Sequence, residues 1–142
     1  MCGSTAVTLW LLAVALTISS VCQANIRYGC MRCIKEVAGG RTGSCNSDAG
    51  SIACGPYQIH NAYWIDCYRP GGSWKSCTKQ TWCSERCVRA YMNRYGRYCT
   101  RGRRPTCRDY AMIHYGGPKG CRKNLTGYWS KVRACCWRRG GC

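Results

Sequence analysis

Residues 45–67 read CNSDAGSIACGPYQIHNAYWIDC, and this stretch decides how the chain folds. Two short apolar pieces, residues 51–54 and 57–59, flank a Gly-Pro turn signal, which predicts a small irregular hairpin. The stretch also holds Asp48 and Asp66, in a chain with only 5 Asp and Glu against 22 Lys and Arg. Acid chemistry therefore has few candidate residues, and Asp48 is one of them.

The first 24 residues carry no charged side chain and contain an apolar run over residues 6–18. This run is shorter than the roughly 20 apolar residues that a membrane span needs, and small residues, Cys22 and Ala24, end the segment. The pattern predicts a secretory signal peptide cleaved after Ala24 rather than an anchor. We therefore expect a secreted, extracellular protein with one mature domain, residues 25–142, of net charge +17.

Fourteen of the 16 cysteines follow residue 24. An even number in a small secreted domain predicts disulfides, which supplement a core of modest size. Cys30 and Cys33 have the C-x2-C spacing of a zinc knuckle, but reduced thiolates are rare outside the cell, so disulfides are favoured over a metal site. The predicted disulfide cysteines are Cys30, Cys33, Cys45, Cys54, Cys67, Cys77, Cys83, Cys87, Cys99, Cys107, Cys121, Cys135, Cys136 and Cys142.

Two segments in the first two thirds of the chain have the pattern of helices. Residues 26–38 can form a short helix, which Gly39 and Gly40 would end. Residues 81–96 place apolar side chains on one face as far as Gly96. Residues 68–76, between these segments, are predicted to be a loop.

Two further helices are predicted near the end of the chain. Thr106, with Asp109 three residues later, resembles a helix N-cap, and a last helix begins near Thr126. Together with the hairpin, these segments predict a helix-rich α+β fold held by disulfides.

Three of the carboxylates have a structural explanation. Glu85 lies on the polar side of the segment 81–96, where a solvated or ion-paired role is favoured, and Asp109 is a helix-start residue. Asp66 could bind a polar ligand or accept hydrogen bonds from backbone N–H groups, and the sequence favours neither role over the other. Glu36 and Asp48 remain, one at a predicted helix end and one on a neighbouring turn or strand.

Glycoside hydrolysis needs two carboxyl groups in different environments. One is protonated and donates to the leaving oxygen, while the other is ionised and stabilises or attacks the oxocarbenium carbon. A helix followed by a reversing hairpin can bring Glu36 and Asp48 across one cleft, although twelve residues of separation do not fix their distance. Burial and the negative end of the helix predict a Glu36 pKa raised relative to that of Asp48, against the lowering effect of Lys35 and other cations.

Several motifs together resemble the invertebrate-type, or destabilase-type, lysozymes, and the resemblance extends over nearly all of residues 25–142. It is carried by Glu36, CNSDAGSIACGPYQI at 45–59, YWIDC at 63–67, WKSC at 74–77, CSERCVRAYM at 83–92 and HYGGPKGC at 114–121. So many fixed spacings make the resemblance specific.

The resemblance implies a lysozyme-like α+β fold with a small antiparallel sheet. It implies a secreted antibacterial muramidase that hydrolyses β-1,4 bonds between N-acetylmuramic acid and N-acetylglucosamine in peptidoglycan, for defence or digestion of bacteria. Glu36 is then the general acid and Asp48 the nucleophile or ion stabiliser, with no cofactor and no metal.

Sugar contacts are also implied by the resemblance. Tyr63, Trp64 and Tyr91 suit this role because they offer flat apolar faces with polar tips, although core packing is an alternative explanation. The implied sugar-contact residues are His60, Asn61, Ala62, Tyr63, Trp64, Ile65, Asp66, Tyr91 and His114.

The chain departs from the family pattern near Glu36. Gly40 stands where the family usually has a cysteine, and Cys135, Cys136 and Cys142 are extra cysteines that offer new pairing. The disulfides that hold Glu36 are therefore left open by the sequence.

A second activity is known in some members, which cleave γ-glutamyl-lysine isopeptide bonds with a serine and a lysine or histidine partner. The corresponding residues here are Ser51, His60 and His114. An imidazole can act as the base, but a hydrogen bond from Ser51 to the turn backbone is the favoured alternative.

The cationic surface predicts binding to peptidoglycan and to anionic bacterial membrane surfaces, with salt sensitivity. Charge alone also suggests a non-enzymatic cationic antimicrobial protein, but that function would not require Glu36 or Asp48. Specific binding of nucleic acid is not expected, because no motif supports it. Asn124 begins a glycosylation sequon, and we expect a monomer or a weak dimer.

Overall fold

The computed structural model describes residues 25–48 and 50–142. The predicted signal peptide, residues 1–24, lies outside the described residues. The described part contains six α-helices, one 3-10 helix and a three-stranded sheet. Within it, no helix is both long and apolar enough to cross a membrane.

The first helix, α1 (Tyr28–Ala38), begins two residues later than predicted and ends where the sequence indicated. Gly39 follows it with a φ of 69°, in the left-handed region that glycine adopts without a Cβ clash. One face of α1 is buried and consists of Cys30, Met31, Cys33 and Ile34. Glu36 lies close to the C-terminal end of this helix.

The predicted hairpin is confirmed and belongs to a three-stranded antiparallel sheet. Its strands are β1 (Cys45–Asp48), β2 (Ser51–Cys54) and β3 (Ile59–His60), in the order β1-β2-β3. Asp48 lies opposite Ser51, and Ala53 lies opposite His60. Facing residues point to the same side of a sheet, as do residues two apart on one strand. Asp48, Ser51 and His60 therefore share one face.

Two short helices follow the sheet, α2 (Asn61–Asp66) and α3 (Trp74–Thr78). The loop predicted over residues 68–76 is wrong for its last three residues, which form the start of α3. Ser73 is responsible, because its side chain caps α3 by accepting a hydrogen bond from the backbone N–H of Ser76.

The long helix α4 (Thr81–Cys99) continues past Gly96, where the sequence predicted its end. Gly96 is buried, and a Cβ at this position would lie 2.9 Å from Cγ of Pro105 and 3.1 Å from the Tyr110 ring. The glycine therefore permits close packing on α4 and does not end the helix.

The helix predicted from Thr106 is α5 (Cys107–Gly116), and it begins with a capping box. The Thr106 side chain accepts from the Asp109 N–H, and the Asp109 carboxylate accepts from the Thr106 N–H. A 3-10 helix (Gly120–Arg122) leads to the last helix, α6 (Thr126–Arg138), which starts at the predicted residue.

The main core contains fully buried apolar side chains from α1, α4, α5 and α6, among them Ile34, Met92, Ile113 and Val132. All fourteen predicted cysteines form disulfides, so the zinc interpretation of Cys30 and Cys33 is wrong. The bridges are Cys30–Cys107, Cys33–Cys135, Cys45–Cys54, Cys67–Cys87, Cys77–Cys83, Cys99–Cys121 and Cys136–Cys142. The helix-rich α+β class is confirmed, and α1 is fastened to both α5 and α6.

Replacing Cys33 and Cys135 together by alanine should lower the free energy of unfolding by roughly 3 to 4 kcal/mol, because this bridge joins residues 102 apart in sequence. Replacing Cys136 and Cys142, only 6 residues apart, should lower it less, since a short loop loses less entropy on closure. Guanidinium unfolding of both double variants measures the difference. An equal or larger loss for the second pair would contradict this account.

Candidate active site

A cleft of about 520 Å³ lies between the C-terminal end of α1, the sheet, α5 and α6. This volume is within the usual range of small-molecule sites. Its wall includes Val37 and Ala38 from α1, Ser47, Asp48 and His60 from the sheet, Tyr57 and Gln58 from the turn before β3, His114 and Tyr115 from α5, and Tyr128 and Lys131 from α6. Asn124, the predicted glycosylation residue, and Leu125 also line it.

Three polar side chains form a hydrogen-bonded cluster on the sheet face beside the cleft. His60 Nε2 lies 3.0 Å from Asp48 Oδ2, and His60 Nδ1 lies 3.2 Å from Ser51 Oγ. When the imidazole is neutral and Nε2–H donates to the carboxylate, Nδ1 is free to accept the Ser51 hydroxyl proton. Asp48 and Ser51 are exposed. The sheet therefore presents an accessible carboxylate and a serine that has a base.

His114 also lines the cleft, but both of its ring nitrogens are occupied. Nε2–H donates to the Tyr57 carbonyl at 3.0 Å, and Nδ1 accepts from the Tyr63 hydroxyl at 3.2 Å. Burial lowers the pKa of His114 from 6.5 to about 4, so the ring is neutral at pH 7. Tyr63 is held in turn by stacking on Tyr91, with ring centroids 3.6 Å apart.

The other predicted sugar-contact residues do not line this cleft. Tyr91 is buried, and the Trp64 indole N–H donates to the Pro70 carbonyl at 2.9 Å. Asp66 lies 3.5 Å from a guanidinium nitrogen of Arg94. Residues outside the lining are Asn61, Ala62, Tyr63, Trp64, Ile65, Asp66 and Tyr91. Of the predicted set, the structure brings His60 and His114 to the cleft with Asp48.

Among the described residues on the wall of this cleft, Val37 and Ala38 follow Glu36 in sequence, but Glu36 itself is not included. Its carboxylate accepts hydrogen bonds from Arg138 and Arg139, each at 2.7 Å. It lines a separate surface depression together with Arg139. The pairing of Glu36 with Asp48 across one cleft therefore stays a prediction.

The predicted rise of the Glu36 pKa is wrong. The pKa is lowered, because the side-chain hydrogen bonds to Arg139 and Arg138 favour the ionised form more than desolvation opposes it. A general acid must carry a proton near the working pH, so these two ion pairs oppose that role of Glu36. The two arginines reach Glu36 because α6 is bound to α1 by the Cys33–Cys135 bridge.

The remaining acids have the structural roles that the sequence indicated. Glu85 lies 3.7 Å from the Lys35 ammonium, and Asp109 caps α5 and pairs with Arg103 at 2.9 Å. All five acids lie in the described part of the chain, and within it Asp48 is the one carboxylate on the cleft wall.

Sequence reasoning predicted that α1 contributes Glu36 to the cleft and missed its neighbours Val37 and Ala38. A signal was present, because buried Ile34 and Ala38 are four residues apart and lie on one side of a helix, whereas Glu36 lies on the other. The contribution of Lys131 and Tyr128 had no local signal, since it depends on how α6 packs.

This fold, its disulfides and a cleft with a carboxylate beside a small sheet define a lysozyme-like glycoside hydrolase. The Destabilase family model matches residues 27–135. The chain belongs to this family, the invertebrate-type lysozymes.

Relatives and solved structures agree with this assignment. The chain is 50% identical to Lysozyme 1 of Crassostrea virginica over 107 residues, which are 74% of this chain and 57% of that protein. It is 46% identical to the lysozyme of Meretrix lusoria over 106 residues, 73% of this chain and 85% of that one.

Two crystal structures are similar to the structure of this chain. The structure of Meretrix lusoria lysozyme in complex with Aeromonas hydrophila PliI matches with a TM-score of 0.73 and 41% identity, covering 82% of this chain and 96% of that chain. The lysozyme of Tapes japonica matches with a TM-score of 0.69 and 37% identity, covering 75% and 88%.

The buried His114 should make stability depend on pH. Its pKa is lower in the folded chain than the ordinary 6.5, so its contribution is fully present above about pH 6.5 and is lost as pH falls through about 4. Stability should fall by on the order of 3 kcal/mol over this range, because each unit of pKa difference corresponds to about 1.4 kcal/mol. His114→Gln, which keeps a donor and an acceptor, should flatten this part of the curve. Urea unfolding at several pH values measures the free energy of unfolding of the unmodified chain and of the variant. An equal dependence on pH in the two proteins would contradict the assignment of this effect to His114.

Proposed function

We propose that this chain is a muramidase that hydrolyses β-1,4 bonds between N-acetylmuramic acid and N-acetylglucosamine in bacterial peptidoglycan. The observation that carries the proposal is the cleft of about 520 Å³ with Asp48 on its wall, in a chain of lysozyme fold. Relatives that are named lysozyme, at 46% and 50% identity, support the same substrate class.

Asp48 supplies the negative charge that the reaction needs. When the glycosidic C–O bond breaks, the anomeric carbon becomes oxocarbenium-like and positive, and an ionised carboxylate stabilises or attacks it. One Asp48 oxygen is held by His60, which leaves the other free to face the sugar. Glu36, the acid that the family resemblance implies, is the proposed donor of the proton that the leaving oxygen takes, and water then attacks the anomeric carbon and returns a proton to Glu36.

The net charge of +17 suits an anionic bacterial wall. A positive surface raises the rate of encounter with such a wall and makes binding sensitive to salt. Secretion, which the seven disulfides support, would bring the protein to this substrate. The same positive surface would also favour contact with an anionic bacterial membrane.

Asp48→Asn should lower the rate of peptidoglycan hydrolysis by at least about 100-fold, because the amide cannot balance the positive charge. Glu36→Gln should also lower the rate by about 100-fold or more, because an amide cannot donate the carboxyl proton that the family resemblance assigns to Glu36. Release of reducing ends from purified peptidoglycan measures both variants. Unchanged activity in a folded Glu36→Gln variant would exclude Glu36 as the acid, and unchanged activity in Asp48→Asn would overturn the proposal.

Isopeptide hydrolysis is a second candidate function, favoured by the Ser51–His60–Asp48 hydrogen bonds. Ser51 Oγ would attack the γ-glutamyl carbonyl carbon while His60 takes its proton, with Asp48 stabilising the imidazolium. His60 then returns the proton to the departing lysine amine, and water releases the acyl group from Ser51.

Ser51→Ala should lower cleavage of a γ-glutamyl-lysine dipeptide by about 1000-fold or more, because the nucleophile is lost. Ser130→Ala, a change at an exposed serine on α6, is the matched control and should keep full activity. Amine release from the dipeptide is the measurement. Equal activity of the two variants would exclude this second function.

A further inference from the structure

Lys131 is the one lysine or arginine on the wall of the cleft, within the part of the chain that the structure describes. The chain has 22 such residues, so the cleft wall is poor in positive charge compared with the chain as a whole. Lys131 is exposed, and none of the five Asp and Glu side chains lies within ion-pair distance of its ammonium group. An unpaired ammonium group therefore borders the same space as Asp48.

Two stacked tyrosines stand beside Lys131 on this wall. The rings of Tyr115, at the end of α5, and Tyr128, on α6, have centroids 4.5 Å apart and planes inclined by 15°. Tyr128 and Lys131 are three residues apart on α6, so they lie on the same side of that helix. Tyr128 covers one face of the Tyr115 ring, but Tyr115 is still 64% exposed, so its other face is open. This end of the cleft combines a flat aromatic surface with a positive charge.

The sugar strand of peptidoglycan offers little to an ammonium group. N-acetylglucosamine is uncharged, and the lactyl group of N-acetylmuramic acid is joined to a short peptide through an amide bond. The free carboxylates lie on these peptides, the peptide stems, which also carry alanine methyl groups. An ammonium group binds a carboxylate through a strong charge-assisted hydrogen bond, and methyl groups pack on aromatic rings. The stems are therefore the part of the substrate that matches this end of the cleft.

We propose that Lys131 and the Tyr115–Tyr128 pair bind the peptide stem of peptidoglycan, next to the sugars that Asp48 faces. The Lys131 ammonium group binds a stem carboxylate, and the open face of the Tyr115 ring contacts the methyl groups of the stem. The inference rests on the proposed muramidase function and deepens it, because it explains how the cleft prefers peptidoglycan to a glycan without peptides, such as chitin. These residues select the substrate and take no part in breaking the bond.

The test compares two soluble ligands, a peptidoglycan tetrasaccharide that carries its stems and the uncharged chitin tetrasaccharide. Both are titrated into the full chain with Asp48→Asn, which slows hydrolysis, and calorimetry gives the dissociation constants. Adding Lys131→Gln should weaken binding of the stem-bearing ligand by about five- to tenfold and change binding of the chitin ligand less than about twofold. High salt should reduce the first effect, because it is electrostatic.

Three further variants show whether the effect depends on position. Arg133→Gln removes one charge from an exposed position of α6 outside the cleft wall, and should leave both dissociation constants within about twofold. Lys131→Arg keeps the charge and should keep most of the binding of the stem-bearing ligand. Tyr115→Ala should weaken binding of that ligand by about threefold, because an apolar contact is lost.

The inference is overturned if Lys131→Gln leaves binding of the stem-bearing ligand unchanged, if it weakens both ligands equally, or if Arg133→Gln has the same effect. An unchanged dissociation constant in Tyr115→Ala would contradict the role of the tyrosine pair. If the chain with Lys131 intact binds neither ligand, the muramidase proposal fails. Binding of both ligands without any effect of Lys131→Gln contradicts only the stem site.

Discussion

Two disulfides determine which way each side chain of α1 points, and the arrangement of the acids depends on them. Cys30 is bound to Cys107 and Cys33 to Cys135, so bridges to two different helices leave from one face of α1 within a single turn. A helix fastened in this way cannot rotate about its axis. Glu36 is therefore directed to α6, and Ala38 is directed to the cleft.

The consequence for Glu36 is electrostatic. An acid on the surface of a chain of net charge +17 is surrounded by cations, and the C-terminal end of α6 supplies Arg138 and Arg139. Because these side chains are well exposed, the ion pairs contribute little to stability. They do affect its titration, since two guanidinium groups lower the pKa of the carboxyl. The same contacts, with the Cys136–Cys142 bridge, hold the end of the chain against α1.

The parts of the fold that the sequence predicted correctly are those with local causes. Thr106 and Asp109 cap α5 through atoms three residues apart, and Gly39 ends α1 through its own backbone conformation. The sheet follows from short apolar pieces around a turn. Each of these features is decided within one turn of chain, so a single sequence contains enough information.

The errors have causes that lie far apart in the sequence. Gly96 was expected to end a helix, yet its neighbours are Pro105 and Tyr110, which only the folded chain brings near. The ion pairs of Glu36 were also not predicted, because its separation of twelve residues from Asp48 says nothing about which face of α1 carries the acid. The partners of Glu36 are 102 and 103 residues away and arrive through a disulfide whose pairing the sequence left open.

Asp48 therefore takes part in both proposed reactions, sugar hydrolysis and isopeptide hydrolysis, and its geometry allows both. Oδ2 accepts from His60, which orients the imidazole toward Ser51, while the other oxygen remains for a sugar carbon. Both reactions require this carboxylate in its ionised form. The two functions therefore share Asp48 and differ in their second residue, which is Ser51 for isopeptide hydrolysis and Glu36 for sugar hydrolysis. A change at Asp48 affects both functions, so changes at Ser51 and at Glu36 are needed to show which reaction the cleft performs.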